Sequence, residues 1–211
     1  MDLARIEAAL SPDLVQRFAD EVDLLWPEED REGSDGSALS LGLAVSGGPD
    51  SLAMLLLAHL ALPGAIAVAS VDHGLRAQAA EEVALVERVC AALDVPFTAL
   101  SVKVARGNLQ ARAREARYEA LAAWARADGL GALATAHHAD DQAETLLMRL
   151  ARGSGLSGLA GVRAASLFEP QTGGEPIPLI RPLLSWRKAE LEALVEACGV
   201  TAASDPSNQQ L

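Results

Sequence analysis

The sequence contains only two cysteines and no uninterrupted apolar run of 18 or more residues in its length of 211. Cys90 and Cys198 each fall inside an apolar helical pattern, so we expect two core residues in a reducing cytoplasm. The lack of a long apolar run gives no indication of a membrane-spanning helix. Residues 1–20 include several charged side chains in place of a basic start and an apolar centre, so a signal peptide is not indicated either.

Lysine is also scarce. Lys103 and Lys188 are the only two, so arginine supplies 15 of the 17 cationic side chains. The net charge of −12 argues against a nucleic-acid partner, because phosphate backbones favour clustered cations. However, residues 1–40 hold eleven acidic side chains against three arginines, so most of the acidity lies at the front. Composition alone therefore decides neither for a nucleic acid nor for a small-molecule substrate.

No Gly-Lys-Ser or Gly-Lys-Thr occurs, which excludes a lysine-bearing P-loop. What the chain has is an apolar strand-like run, 41–45, followed by a small-residue loop and an apolar helical run, 52–60. Small residues let a ligand touch the backbone, and the unpaired N–H groups of a helix start favour an anion. The predicted phosphate-binding residues are Ser46, Gly47, Gly48, Pro49, Asp50 and Ser51.

Asp50 is the one charged residue in this loop. A carboxylate beside bound phosphate makes electrostatic sense only if a cation such as Mg²⁺ lies between them. We therefore expect Asp50 to be the metal-binding residue of a phosphate site. The alternative is an ordinary strand-to-helix turn that uses glycine for tightness.

Strand-like and helical patterns alternate along the chain, which predicts an α/β fold: a doubly wound, mostly parallel five-stranded sheet with helices on both faces. We expect two regions, a helical segment with an acidic linker over 1–40 and a phosphate-binding domain over 41–211. The predicted strands are 41–45, 65–71, 97–104, 130–134 and one within 176–184. Ser185 is the predicted cap of a helix over 186–198.

Asp72 and His73 follow the second predicted strand. Polar residues at the carboxyl end of a parallel strand face the crevice where open α/β sheets bind ligands, so both are site candidates. Asp72 is equally well interpreted as the cap of the helix predicted over 78–93.

His137 and His138 follow the fourth predicted strand, and Asp141 and Glu144 lie three residues apart in the helix after it. Three interpretations of the acidic pair are open: favourable charge at a helix start, transition-metal binding together with the histidines, or recognition of an amine. Adjacent histidines on an extended segment point apart, which disfavours the metal. The leucines expected on the buried side of this helix are Leu146, Leu147 and Leu150.

Arginines supply the remaining candidates. Arg114 and Arg117 share one side of a predicted helix over 108–126, where they suit phosphate binding or, alternatively, ion pairs with neighbouring glutamates. Arg152 opens a glycine-rich loop, and Arg181 ends the fifth predicted strand.

The loop Ser46-Gly-Gly-Pro-Asp-Ser51 resembles the signature of PP-loop ATP pyrophosphatases, and the later motifs resemble bacterial tRNA(Ile)-lysidine synthetases. The resemblance runs from about residue 41 to the end. The later motifs are Val71-Asp-His-Gly-Leu-Arg76, Ala113-Arg-Glu-Ala-Arg-Tyr118, His137-His-Ala-Asp-Asp-Gln-Ala-Glu-Thr145, Arg152-Gly-Ser-Gly-Leu-Ser-Gly-Leu159, Ile180-Arg-Pro-Leu183 and Asp205-Pro-Ser-Asn208.

The resemblance implies ATP-dependent ligation of L-lysine to C2 of the wobble cytidine of tRNA(Ile) with a CAU anticodon, through an adenylated cytidine. It implies an ATP and Mg²⁺ loop at 46–51, nucleotide contacts from Asp72 and His73, and a lysine site at Asp141 and Glu144. The residues it implies for activation are Asp50, His137 and Arg114, and those for phosphate or tRNA are Arg114, Arg117, Arg152 and Arg181. The family's carboxyl-terminal tRNA-binding domains have no counterpart here, so ATP and lysine binding are better supported than complete tRNA modification.

Other functions compete with this one. A thiolating enzyme of the same superfamily is disfavoured because the chain lacks a C-x-x-C pair. A synthetase acting on another substrate, such as a free nucleotide, and a non-catalytic nucleotide sensor stay open. A homodimer is a candidate assembly that the sequence neither favours nor excludes.

Overall fold

The computed structural model describes residues 3–33, 36–72, 77–102, 109–151 and 162–203. The helices are α1 Leu3–Ala9, α2 Pro12–Leu25, α3 Pro49–Ala61, α4 Ala77–Leu93, α5 Leu109–Ala127, α6 Ala139–Ala151 and α7 Lys188–Ala197, with a 3₁₀ turn at Glu28–Arg31. The strands are β1 Leu41–Ala44, β2 Ile66–Asp72, β3 Phe97–Ser101, β4 Ala132–Thr135, β5 Ala165–Phe168 and β6 Ile177–Ile180.

The strands form one sheet in the order β3-β2-β1-β4-β6-β5. All neighbouring pairs are parallel except β5 with β6. The predicted doubly wound, mostly parallel sheet is confirmed, but it has six strands where the sequence predicted five. The missed strand, β5, is a four-residue antiparallel edge strand whose residues alternate between exposed and half-buried, so it lacks the continuous apolar run that identifies a central strand.

Helices cover both faces of the sheet. On one face α5 packs against the small residues of the central strands through Leu121, Ala122 and Ala125, which are all buried. On the other face α3 is the central element, with every residue from Ser51 to Ala58 buried, and α7 lies beside it. An apolar surface all round a helix is what burial on every side requires. Both cysteines are buried, which confirms the expectation that they are core residues.

Helices α1 and α2 pack on the same core. Phe18 and Val22 of α2 are fully buried, and the Arg17 guanidinium lies 3.9 Å from the centre of the Trp186 ring. Gly131, which precedes β4, shows how tight this packing is, because a Cβ atom there would lie 2.6 Å from the Trp26 ring. The structure therefore has α2 as a covering layer for α3.

Two sequence predictions about helices are wrong. The leucines expected on the buried side of α6 are exposed instead: Leu146 by 39%, Leu147 by 65% and Leu150 by 50%. Helical spacing identifies an apolar side but not what covers it, and the described part of the chain leaves this side open. Ser185 does not cap α7; the capping position is Arg187, whose backbone N–H donates to Glu190 Oε2 at 2.7 Å.

The Ser185 hydroxyl instead donates to Glu21 of α2 at 2.8 Å.

Among the described residues, no helix combines the length and the apolar character needed to cross a lipid bilayer.

Candidate functional site

The loop between β1 and α3 turns sharply at Gly47. Its φ of +90° is readily adopted only by glycine, and a Cβ atom there would lie 3.4 Å from the Glu82 carbonyl oxygen. Gly48 then precedes Pro49, the first residue of α3, where the missing N–H costs no hydrogen bond. The Ala203 N–H also donates to the Gly47 carbonyl at 2.9 Å, so a distant segment holds the loop in place.

Two serines brace this loop. The Ser51 hydroxyl lies 3.2 Å from the Ser46 backbone nitrogen and 3.3 Å from the Ser46 hydroxyl, and it donates to the Gly48 carbonyl at 2.9 Å. Ser51 is buried whereas Ser46 is exposed. Ser51 therefore shapes the loop from inside, and Ser46 presents its hydroxyl to solvent beside the helix start.

A pocket of about 220 Å³ opens at the carboxyl ends of β1 and β4. These strands are direct neighbours, with Ala44 paired to Thr135 at their ends. The helix starts that follow the two strands therefore face the same space. The lining residues are Ala44, Ser46, Gly48, Asp50, Ser51, Arg117, Thr135, Ala136, His137 and Asp141.

Asp50 has one oxygen engaged and one without a partner. Its Oδ2 lies 3.5 Å from His138 Nε2, while Oδ1 is buried and has no hydrogen-bond partner among the described residues. A buried carboxylate oxygen without a partner is costly unless a ligand satisfies it. This oxygen fits Mg²⁺, a hard cation that prefers oxygen ligands.

The described residues contain no group of three or more His, Cys, Asp or Glu arranged to hold a metal ion. A cation at Asp50 would therefore need most of its ligands from the substrate and water, which is how Mg²⁺ commonly binds with nucleotides.

Asp141 and His138 cap α6 reciprocally. The His138 N–H donates to Asp141 Oδ2 at 2.9 Å, and the Asp141 N–H donates to His138 Nδ1 at 3.4 Å. This is the pattern of a capping box, with histidine in the place usually taken by serine or threonine. Of the three interpretations open for Asp141, support of the helix start is thus present. It coexists with a pocket-facing position.

The two histidines have opposite electrostatic surroundings. Burial, reinforced by the charge of Arg181, lowers the pKa of His137 to about 4, so its ring is neutral at pH 7. Its Nδ1 lies 3.0 Å from the Thr135 hydroxyl. For His138, the hydrogen bond with Asp50 raises the pKa above its usual value despite burial, and Asp141 adds to the effect.

Three arginines, Arg181, Arg114 and Arg117, lie close enough to His137 for their charges to lower its pKa. Arg117 lines the pocket, and burial lowers its pKa, with the charge of Arg114 acting in the same direction. Arg114 is exposed and lies 5.3 Å from the centre of the Tyr118 ring. Arg181 is buried and donates to the Arg163 carbonyl at 2.7 Å, while its Nε has no partner among the described residues.

Seven of the thirteen predicted site residues that the structure describes line this pocket. Gly47 and Pro49 shape the loop without lining the space, and Asp72 ends β2 at the same edge of the sheet. Glu144 is exposed on α6 and is not among the described residues that line the pocket. Two predicted residues, His73 and Arg152, lie outside the described part of the chain, as do the glycine-rich loop that Arg152 opens and the motif 205–208.

Sequence reasoning missed His138 and Thr135 as parts of the site. A histidine beside a predicted site histidine is a weak signal, because consecutive side chains on extended backbone point in opposite directions. Its contact with Asp50 depends on which strands are neighbours in the sheet, which the local sequence does not specify.

Comparison with known proteins is consistent with this geometry. A family described as the PP-loop domain matches residues 28–211. The tRNA(Ile)-lysidine synthase of Novosphingobium aromaticivorans is 56% identical over 167 residues, which cover 79% of this chain and 50% of that protein. The enzyme of the same name from Zymomonas mobilis is 48% identical over 195 residues, covering 88% and 58%.

Solved structures share the fold at low identity. A U34-tRNA thiolase from Methanococcus maripaludis, determined with its [4Fe-4S] cluster, superimposes with a TM-score of 0.67 at 16% identity, covering 91% of this chain and 66% of that chain. An NH3-dependent NAD synthetase from Campylobacter jejuni gives 0.54 at 17%, covering 88% and 74%.

The chain spans about half the length of the curated relatives that it matches. The family match itself covers most of the chain and includes the loop, the pocket and every strand of the sheet. The protein belongs to the PP-loop domain family.

Proposed function

We propose that the protein uses ATP to ligate L-lysine to C2 of the wobble cytidine of tRNA(Ile) with a CAU anticodon. In the first step the C2 oxygen attacks the α-phosphorus of ATP, and the bond to pyrophosphate breaks. In the second step the neutral ε-amine of lysine attacks C2, the C2–O bond breaks, AMP leaves with the oxygen, and the attacking nitrogen releases a proton to solvent. The names of the relatives support this reaction, since each is a tRNA(Ile)-lysidine synthase.

One observation carries the proposal. The phosphate loop, residues 46–51, leads from β1 into α3. This loop and Asp141 line the same pocket, although they are about 90 residues apart in sequence. Activation occurs on the oxygen bound to C2 and amine attack on C2 itself, so the ATP site and the lysine site have to meet. Had the two features opened on different faces of the sheet, this chemistry would have had no common centre.

ATP binding is supported by the helix start at Pro49. The first N–H groups of α3 have no partner within the helix and, with its dipole, favour bound phosphate. Bound Mg²⁺ would offset phosphate charge and stabilise the negative charge that develops during the transfer. Asp50 Oδ1 is the oxygen that would hold it.

Lysine recognition is supported by Asp141. Its Oδ2 is engaged by the His138 N–H, which leaves Oδ1 as the acceptor for an ammonium group. An anion favours the charged form of an amine, so Asp141 binds lysine but does not deprotonate it. His137, with a pKa of about 4, is a weak base at neutral pH. We therefore assign His137 the role of a hydrogen-bonding partner of the adenylated cytosine.

Arg117 and Arg114 can bind anions of the reaction, Arg117 inside the pocket and Arg114 at the exposed surface. Arg117 lines the pocket, where a guanidinium can bind the phosphates of ATP or the adenylate. Arg114 is exposed nearby and is available to a tRNA phosphate. Because cytosine C2 is inaccessible in a stacked anticodon, the base has to leave its stack to enter the pocket.

We further propose a cytoplasmic location, and a homodimer stays a prediction.

A single-turnover reaction with labelled lysine and a CAU-anticodon tRNA transcript tests the proposal. We expect labelled tRNA with the native chain and about a 100-fold slower reaction with Asp141→Asn. The matched control is Asp140→Asn, because Asp140 is exposed and accepts from the Lys188 N–H at 2.8 Å outside the pocket. ATP binding with no transfer of label by the native chain would contradict the proposal and favour a nucleotide sensor.

A further inference from the structure

His138 is buried, with 5% of its surface exposed, and the proposed reaction assigns it no role. It lies between the phosphate loop and the start of α6. One ring therefore contacts two carboxylates that belong to different helices and follow different strands. These contacts are His138 Nε2 to Asp50 Oδ2 at 3.5 Å and His138 Nε2 to Asp141 Oδ2 at 3.7 Å.

The hydrogen bonds determine which ring nitrogen carries a proton. The Asp141 N–H donates to Nδ1, so Nδ1 acts as an acceptor and the hydrogen lies on Nε2. The Nε2–H group therefore faces Asp50 Oδ2. With this oxygen occupied, the unpartnered Oδ1 is the one left for a ligand.

We propose that His138 is a positioning residue that holds the Asp50 carboxylate in the orientation required to bind Mg²⁺-ATP, and holds it in a fixed relation to Asp141. The inference rests on the proposed function for the identity of the ligands. His138 touches neither substrate in this account. It acts through Asp50, as the groups around metal-binding carboxylates commonly do.

The competing explanation is a purely structural cap. A cap needs only the Nδ1 acceptor, and asparagine, aspartate or serine provides a better one. A histidine offers a second nitrogen at the far side of its ring, and here that nitrogen reaches a residue of another helix. The two roles use different atoms of the same side chain, so they can be separated by substitution.

Two variants separate the roles. In His138→Asn the amide can replace Nδ1 at the cap but is too short to reach Asp50. In His138→Gln the longer amide can supply a donor near the position of Nε2, but it is a poorer cap. Asp140→Asn is the matched control, because Asp140 Oδ2 lies 3.7 Å from His138 Nδ1 and outside the pocket.

The affinity for Mg²⁺-ATP, measured by calorimetry, should fall in one variant, and the unfolding temperature without ligand should fall in the other. We expect His138→Asn to weaken Mg²⁺-ATP binding by about 10-fold with an unfolding temperature close to that of the native chain. We expect His138→Gln to bind within about threefold of the native chain and to unfold about 2–4 °C lower. Asp140→Asn should leave the affinity unchanged.

Equal affinity of the native chain and His138→Asn, or weaker binding by His138→Gln than by His138→Asn, would overturn the inference and leave a cap. The measurement needs neither lysine nor tRNA. If the native chain binds Mg²⁺-ATP and makes no lysidine, the proposed function fails while the role of His138 is still decided. If the native chain does not bind Mg²⁺-ATP, both fail.

Discussion

Helices α3 and α6 follow neighbouring parallel strands and begin at the same pocket, yet their later turns lie in different surroundings. Each has an aspartate in its first turn that lines the pocket, Asp50 in α3 and Asp141 in α6. From Ser51 to Ala58, α3 is buried, whereas no residue of α6 is buried. Both helices therefore place an aspartate at the pocket, but only α3 is part of the hydrophobic core.

This difference separates two jobs of a helix in an α/β fold. The positions of Asp50 and Asp141 depend on where β1 and β4 end and on how each first turn is capped. The later turns of α3 hold the sheet and its covering layer together, while those of α6 contribute little to the core. Site geometry and global stability should therefore respond to different substitutions.

The largest effect is expected at the start of α3. Asp50→Asn removes the charge that would hold Mg²⁺, so tRNA-dependent release of pyrophosphate from ATP should fall by at least about 100-fold. Circular dichroism should show an unchanged fold, since asparagine keeps the shape of the side chain. Release at the native rate would mean that Asp50 has no part in the reaction and that only the α6 side of the pocket matters.

Matched leucine substitutions test the contrast in burial. Leu55→Ala in α3 removes a fully buried side chain and should lower the free energy of unfolding by about 2–5 kcal/mol. Leu147→Ala in α6, where the side chain is 65% exposed, should change it by less than about 0.5 kcal/mol. Denaturant titration measures both. Similar losses would show that something covers α6 in solution and would remove the contrast.

The pH dependence of stability should involve the α6 side of the pocket through His137. Its pKa is about 4 when folded and 6.5 as the reference value, so between these values the unfolded chain binds more protons. The stabilising contribution is complete above pH 6.5 and is lost as the pH falls toward 4. Between pH 7 and 5.5 we expect a loss of about 1 kcal/mol, which His137→Gln should abolish. An identical loss of stability in the variant would mean that the His137 ring is exposed to solvent and that its pKa is not lowered by folding.

The smallest effect is expected one turn into α6. Glu144 is exposed, so its attraction for the ammonium group of lysine is screened by water. Glu144→Gln should raise the KM for lysine by at most about fivefold and leave the KM for ATP unchanged. A larger rise would mean that Glu144 reaches the pocket when substrates bind. A change confined to ATP would contradict a lysine-binding role.

The central fold was predictable because buried parallel strands leave a strong signal. The apolar runs at β1, β2 and β4 predicted the sheet, and the small-residue loop at 46–51 identified the candidate anion site at its edge. The edge strand β5 was missed because its four residues alternate in exposure. Edge strands carry little of the apolar pattern on which prediction depends.

Contacts between elements were less predictable. The exposure of the α6 leucines depends on what covers that helix, which periodicity does not report. Ser185 bonds Glu21 from a distant part of the chain, so its role as a cap could not be tested by local pattern. The contact of His138 with Asp50 likewise requires β1 and β4 to be adjacent, a property of the whole sheet.

Pyrophosphate release and lysine incorporation, followed together in one single-turnover reaction with CAU-anticodon tRNA, test most directly whether one pocket combines two functions. For Asp141→Asn we predict pyrophosphate release within about threefold of the native rate, because activation depends on the α3 side, together with nearly complete loss of lysine incorporation. Equal loss of both products, or lysine incorporation at the native rate, would contradict the account.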